Sequence, residues 1–254
     1  MHALPSLARA LLFLLAALTL GAPSALADSP PPHIQPAARQ LAAAVAAKIG
    51  QAQTLRVRAQ HFLYPAPGVG PALESGPIHI ALHRPNRFYA LQPARQQTRE
   101  LAFDGKFLCL MTPHLDQHAL EPLPAASMEQ FAERLDARFG FRPPLAELLA
   151  PDLAAQLFLH VTSARLLKPQ RIGWTRCHHL QLQQPGLTSD LWIATRDLLP
   201  RRYRLAFSSP QRCPTWDIHL SHWELNAPID PQLFAKRPAP TSQKLTMLRS
   251  RSPR

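Results

Sequence analysis

The chain has 254 residues, 46% of them hydrophobic, which is enough apolar material for a real core and rules out an intrinsically disordered protein. Its net charge is +12, but Arg9 and the six basic residues after position 235 supply seven of those charges, so the body between them carries only about +5. A body of that charge, without a basic motif interleaved with aromatics, does not read as a nucleic-acid binder. Nine glycines leave little with which to build phosphate loops.

The first element is a leader. Arg9 precedes the apolar run from Leu11 to Leu20, and small residues lead to Ala25-Leu26-Ala27. A charged start, a short apolar centre and small residues at −3 and −1 form a secretory signal, cut between Ala27 and Asp28. A run of ten is about half of what spans a bilayer. The residue after the cut is Asp28, not Cys, so no lipid anchor is expected there. The expected product is a soluble periplasmic protein.

Residues 33–50 read as a helix, with Leu41, Val45 and Ile49 recurring every fourth position and Gly50 as its stop. Extended segments follow. Residues 55–58 alternate, prolines and glycines mark a loop at 65–71, and residues 77–83 alternate again. Pro85-Asn86 turns into a strand at 87–91. Residues 101–103, Asp104-Gly105 and residues 107–111 form a hairpin signal. The centre is helical, over roughly 127–160. Ser127 and Gln130 suggest a capping box, Met128, Phe131, Leu135 and Phe139 form an apolar stripe, and Gly140 ends it. Pro143-Pro144 opens a short helix, and Asp152 caps another. The remainder reads as a meander of four strands, at 174–183, 190–195, 201–208 and 215–225.

Alternation gives this meander one apolar face. Leu180 and Leu182 lie on it, as do Tyr203, Leu205 and Phe207, and Trp216, Ile218 and Leu220; in the second strand both faces are apolar, with Leu191 and Ile193 opposite Trp192 and Ala194. The face is either a core under the helices or the wall of a cavity for a hydrophobic ligand, and periodicity does not distinguish them. If it is a cavity, its lining is Leu180, Leu182, Trp192, Tyr203, Leu205, Phe207, Trp216, Ile218 and Leu220.

Signs of catalysis or a cofactor are missing. There is no Gly-x-Ser-x-Gly, no His-Glu-x-x-His and no Cys-x-x-Cys, and Gly68-Val69-Gly70 lacks the third glycine of a dinucleotide loop. His114 and His118 flank Asp116 at ligand spacing, but in an extended, proline-bounded stretch. No metal, cofactor or catalytic residue is expected. Cys109, Cys177 and Cys213 are odd in number; the meander places Cys177 and Cys213 at opposite ends of their strands, about 20 Å apart, too far for a disulfide.

The order of several short motifs adds a resemblance. Arg84-Pro85-Asn86-Arg87-Phe88, Phe103-Asp104-Gly105-Lys106, Ala132-Glu133-Arg134 with Phe139-Gly140, and 144–149 come first; Cys177-His178-His179-Leu180, Leu191-Trp192-Ile193, Leu199-Pro200-Arg201-Arg202 and Trp223-x-Leu225-Asn226 follow. Together they resemble a family of predicted periplasmic proteins of unknown function, itself similar to the lipoprotein carriers LolA and LolB. The resemblance covers roughly residues 41–238. It implies an α+β fold, a half-open antiparallel β-barrel with a helical lid over 28–238. It also implies a concave apolar surface for a lipid, a lipoprotein acyl chain or another hydrophobic group; the alternatives are an envelope sensor or protein-interaction module of the same fold and, behind that, an uncharacterised hydrolase. It carries over no catalytic residue. Residues 239–254 fall outside the pattern and read as a disordered basic tail, suited to weak contact with anionic membrane.

Overall fold

The computed structural model describes residues 33–66, 70–94, 98–141, 145, 149–150, 152–158, 160–208 and 214–248. The expected leader with its Ala27–Asp28 junction, the short helix after Pro143, and Cys213 lie outside the described residues.

Among the described residues, thirteen strands form one sheet. In chain order they are β1 (His33–Ile34), β2 (Thr54–Tyr64), β3 (Glu74–His83), β4 (Arg87–Gln92), β5 (Arg99–Phe103), β6 (Phe107–Thr112), β7 (Gln117–Pro122), β8 (Ser163–Ile172), β9 (Thr175–Gln184), β10 (Leu187–Ala194), β11 (Pro200–Phe207), β12 (Thr215–Leu225) and β13 (Gln243–Lys244). Among the described residues three helices interrupt them: α1 (Pro36–Gly50), α2 (Met128–Phe139) and α3 (Leu153–Phe158). The spatial order is β1-β8-β9-β10-β11-β12-β2-β3-β4-β5-β6-β7-β13, so the sheet is open, with β1 and β13 as its edges. Two antiparallel meanders, β2–β7 and β8–β12, join through the β12–β2 pair. The two edge strands are parallel to their neighbours.

Local chemistry explains the boundaries. α1 begins at Pro36, later than the periodicity suggested, because a residue before proline is driven out of the helical region. Gln35 is accordingly extended, with φ −62° and ψ 132°, and its side-chain oxygen accepts from the Leu166 amide at 2.9 Å. Thus His33 and Ile34 join the sheet instead. α2 starts as expected, with the Ser127 hydroxyl accepting from the Gln130 amide at 3.3 Å, and ends at Gly140, whose φ is 71°. At the β5–β6 turn Gly105 has φ 97°, and a Cβ there would lie 2.6 Å from the Asn86 amide nitrogen, so only glycine fits.

Odd positions of β2 and even positions of β3 face the helices. We call this the inner face. Leu55, Leu82, Phe88, Phe103 and Leu108 make a fully buried row across five strands, continuous with Phe131 and Leu135 of α2 and with Val45 and Ile49 of α1. Phe131 stacks on Phe103 at 3.9 Å and meets Phe88 at 5.9 Å. Arg84, at the end of β3, donates to the carbonyls of Ala52 at 2.9 Å and Leu149 at 3.1 Å, tying the chain after α1 to the central helical region.

The opposite, outer face carries a second apolar cluster of Ala81, Tyr89, Ala102, Cys109, Ile229 and Phe234. The segment after β12 supplies its cover. Lys236 pairs with Glu100 and lies 5.2 Å from the Tyr89 ring, and Arg237 pairs with Asp104 at 2.5 Å. The disordered basic tail is thereby corrected as far as residue 248. Gln243 and Lys244 form β13 beside β7, the Leu245 amide donates to the His118 carbonyl at 2.7 Å, and Met247 packs against the main core. Its charges hid this: backbone pairing at an edge leaves little trace in side-chain pattern.

Candidate functional site

Five strand pairings set a gradient of exposure along the inner face. Val57, Ala59, Ile78, Ile80 and Leu220 are buried beneath the helices, and Leu180, Leu191, Tyr203 and Ile218 are buried in the next row. One step further along the strands, Leu63, Trp216 and Leu205 stand directly opposite one another on β2, β12 and β11, and all three are only partly buried. Phe207 continues this half-open strip. Leu182 and Ser189 close it on β9 and β10, both buried.

Eight of the nine expected lining residues lie on this face by alternation: Leu180, Leu182, Tyr203, Leu205, Phe207, Trp216, Ile218 and Leu220. Five of them are buried in the core, and Leu205, Phe207 and Trp216 form the strip. Trp192 is a correction. It pairs with Arg202 on the outer face, where its ring stacks on His179 at 4.4 Å, its indole N–H donates to Gln170 at 2.7 Å, and Arg202 sits 4.7 Å over it. Since β10 is apolar on both faces, composition could not choose between them; register does.

Polar residues border the strip. His61, Glu74, Gln92 and Arg99 come from four strands, and their parity turns all of them inward. Gln92 donates to Glu74 at 3.2 Å, while Arg99 and His61 lie 3.6 and 3.7 Å from the same oxygen. At 3.7 Å the His61 contact is electrostatic, too long for a hydrogen bond. The His61 ring is the main influence holding Glu74 below the ordinary carboxylate range, assisted by Gln92 and Arg99 and opposed by burial. His61 itself is buried, and neither ring nitrogen has a hydrogen-bond partner. This group leaves almost no trace in the sequence. Its one available signal was His61 interrupting the apolar stripe of Leu55, Val57, Ala59 and Leu63.

A second polar set lies on the outer face. His179 bonds Asp190 at 2.8 Å, and Gln181 donates to the same carboxylate at 3.0 Å. Arg202 forks onto both oxygens of Asp217, and His219 lies 3.4 Å from it. Burial alone would raise Asp217, but Arg202 and His219 outweigh it and hold the carboxyl at about 2. Among the described contacts, histidines with an acid partner (His61, His179, His219) bond no hydroxyl. Those that bond a hydroxyl, His118 with Ser242 and His222 with Ser221, have no acid partner. No group of three or more metal-ligating side chains converges among the described residues; His114 lies in the turn at Pro113–Leu115 and His118 on β7. A cleft of about 560 Å³ opens on the outer face, lined by Arg56, Asp230, Gln232, Leu233, Ala235 and Lys236. It is open to solvent, not an enclosed tunnel.

Residues 38–248 match the family described as predicted periplasmic protein (DUF2092). The chain belongs to this family. The match reaches through β13, past the end of the motifs legible in the sequence, and the family places the protein in the periplasm. No helix among the described residues is long and apolar enough to cross a membrane. No curated protein matches the chain. Among solved structures, the chain is similar to the LolA superfamily protein NE2245 from Nitrosomonas europaea, at 12% identity and a TM-score of 0.37, over 77% of this chain and 97% of that one. It is similar to LprF from Mycobacterium bovis at 15% identity and a TM-score of 0.46, over 81% and 98% of the two chains. A third likeness is to the MucA/MucB complex of Pseudomonas aeruginosa, at 17% identity and a TM-score of 0.44, over 78% of this chain and 60% of that one.

Proposed function

We propose that this protein is a periplasmic binder or carrier of a hydrophobic group, a lipid or lipoprotein acyl chain, with the three helices as a lid over the inner face of its sheet. The observation that carries this reading is the strip of Leu63, Leu205, Phe207 and Trp216. It continues a buried apolar face, yet its own side chains stay only partly buried. Each methylene laid on such a surface contributes about 0.8 kcal/mol, so a few carbons suffice for measurable affinity. Binding rather than catalysis fits the separation of acid-paired from hydroxyl-paired histidines.

Trp216 is the widest of these side chains. Its replacement by alanine removes apolar contact worth about 1 kcal/mol for a half-buried ring, or about fivefold in affinity for a fluorescent fatty acid. Native mass spectrometry of the protein taken from the periplasm, together with that titration, tests the reading. Protein that is always ligand-free and takes up no fatty acid would sink it. The reading would then pass to a protein-interaction module, which the stacked Phe103–Phe131 packing beneath α2 favours, because there the chain's own side chains fill the face.

A further inference from the structure

The β8–β9 hairpin carries a feature that neither the core nor the inner strip uses. Its turn is Gly173-Trp174, and Trp174 is 94% exposed, whereas Trp192, Trp216 and Trp223 are buried or partly buried. Gly173 has φ 55°, and a Cβ there would meet nothing within 4 Å, so the turn faces open space. Around the tip, Lys168, Arg171 and Arg176 are exposed, and the sequence holds no Asp or Glu between Asp152 and Asp190. The neighbouring turn is tied on by the Thr195 amide, which donates to the Arg176 carbonyl at 3.0 Å, and adds exposed Arg196. Asp197, the acid of that turn, is already paired with Arg201.

Arg171 and Arg176 are direct partners across the two strands. Like charges placed so repel and weaken a hairpin. An exposed indole at a turn likewise does nothing for folding. Both features become favourable against one kind of surface: a negatively charged one with an apolar layer just beneath. We propose that the tip of the β8–β9 hairpin docks on an anionic lipid bilayer, with the Trp174 indole among the headgroups and Lys168, Arg171, Arg176 and Arg196 on the phosphates. Indole favours that layer, because one end is apolar and the other donates a hydrogen bond. A protein partner fits less well, since a stable interface covers about 800 Å² per side and one projecting ring offers far less. On the C-terminal stretch, by contrast, Lys236 and Arg237 are already ion-paired.

Co-sedimentation of the protein, purified from the periplasm, with vesicles tests this. Vesicles containing phosphatidylglycerol bind it, with a blue shift of tryptophan emission, and pure phosphatidylcholine vesicles do not. Trp174→Ser weakens binding about tenfold. The double change Arg171→Gln, Arg176→Gln weakens it about 25-fold, at roughly fivefold per charge, and raising the salt does the same. Both variants keep the wild-type melting temperature to within a few degrees and the same fatty-acid affinity, which separates this result from the fate of the inner strip. Failure of folded wild-type protein to bind phosphatidylglycerol vesicles overturns the proposal. So does equal binding to phosphatidylcholine, or a Trp174→Ser variant that binds as wild type. Polyglutamate that binds the tip as tightly as vesicles overturns it in favour of an acidic protein partner.

Discussion

Phe131→Ala tests whether α2 is part of the core or a separable cover. Phe131 is fully buried, stacked on Phe103 at 3.9 Å and tilted against Phe88 at 5.9 Å. Truncating a buried phenylalanine costs about 3–5 kcal/mol, and losing the stacked pair adds about 0.5–1.5 kcal/mol. For a chain of this size that is a fall in Tm of roughly 7–26 °C. The loss can take two forms. If α2 and the sheet unfold together, urea midpoints by circular dichroism and by tryptophan fluorescence fall together. If α2 lifts alone, strand signal persists while the row of Leu55, Leu82, Phe88 and Phe103 becomes accessible. A polarity-sensitive dye then binds the variant far more strongly than wild type under native conditions. The lid reading expects the second form. A variant with a Tm within about 3 °C of wild type, and no gain in dye binding, refutes the packing argument itself.

Asp217 is held at about 2 when folded, against 3.8 for an unperturbed aspartate. A depressed acid stabilises the fold above its unfolded value, and that contribution is lost as pH falls from about 4 to 2. Allowing for solvent screening it is on the order of 1–2 kcal/mol, so Asp217→Asn flattens the acid limb of stability in that window; an unchanged acid limb contradicts the ion pair. Burial pushes the Cys109 thiol up to about 11 and raises Cys177 as well. In a Cys213→Ser background neither reacts with Ellman's reagent at pH 8 until urea is added; rapid reaction of the native protein contradicts their burial.

Much of the fold was legible because short-range chemistry fixed it. The Asp104-Gly105 turn, the Ser127–Gln130 cap, the Gly140 stop and the alternation of β9, β11 and β12 all left patterns in neighbouring residues. What escaped was set at a distance. β8 shows no clean alternation because it lies next to the sheet edge and shifts register between Leu167 and Gln170. β7 and β13 are short and polar, and β13 finds its partner 126 residues away in sequence. Strand parity put Leu205, Phe207 and Trp216 on one face; Leu63 of the strip drew no notice because β2 meets β12 only across the sheet, and Trp192 was assigned to the wrong side because β10 offers an apolar residue on both. The polar border was missed because His61, Glu74, Gln92 and Arg99 meet only once four strands are aligned.

The edges of the sheet have a consequence for the protein's solubility. A thirteen-stranded open sheet presents two rows of unpaired backbone groups, each able to recruit a second molecule. At one edge β13 lies along β7. At the other, β1 shields only Ser163 and Ala164 of the ten residues of β8. The rest of β8 holds Lys168, Pro169 and a bulge: a charge, a missing donor and a broken register, three obstacles to strand addition in adjacent positions. The irregularity that concealed this strand in the sequence is also what keeps one copy of the protein from adding its sheet to the next.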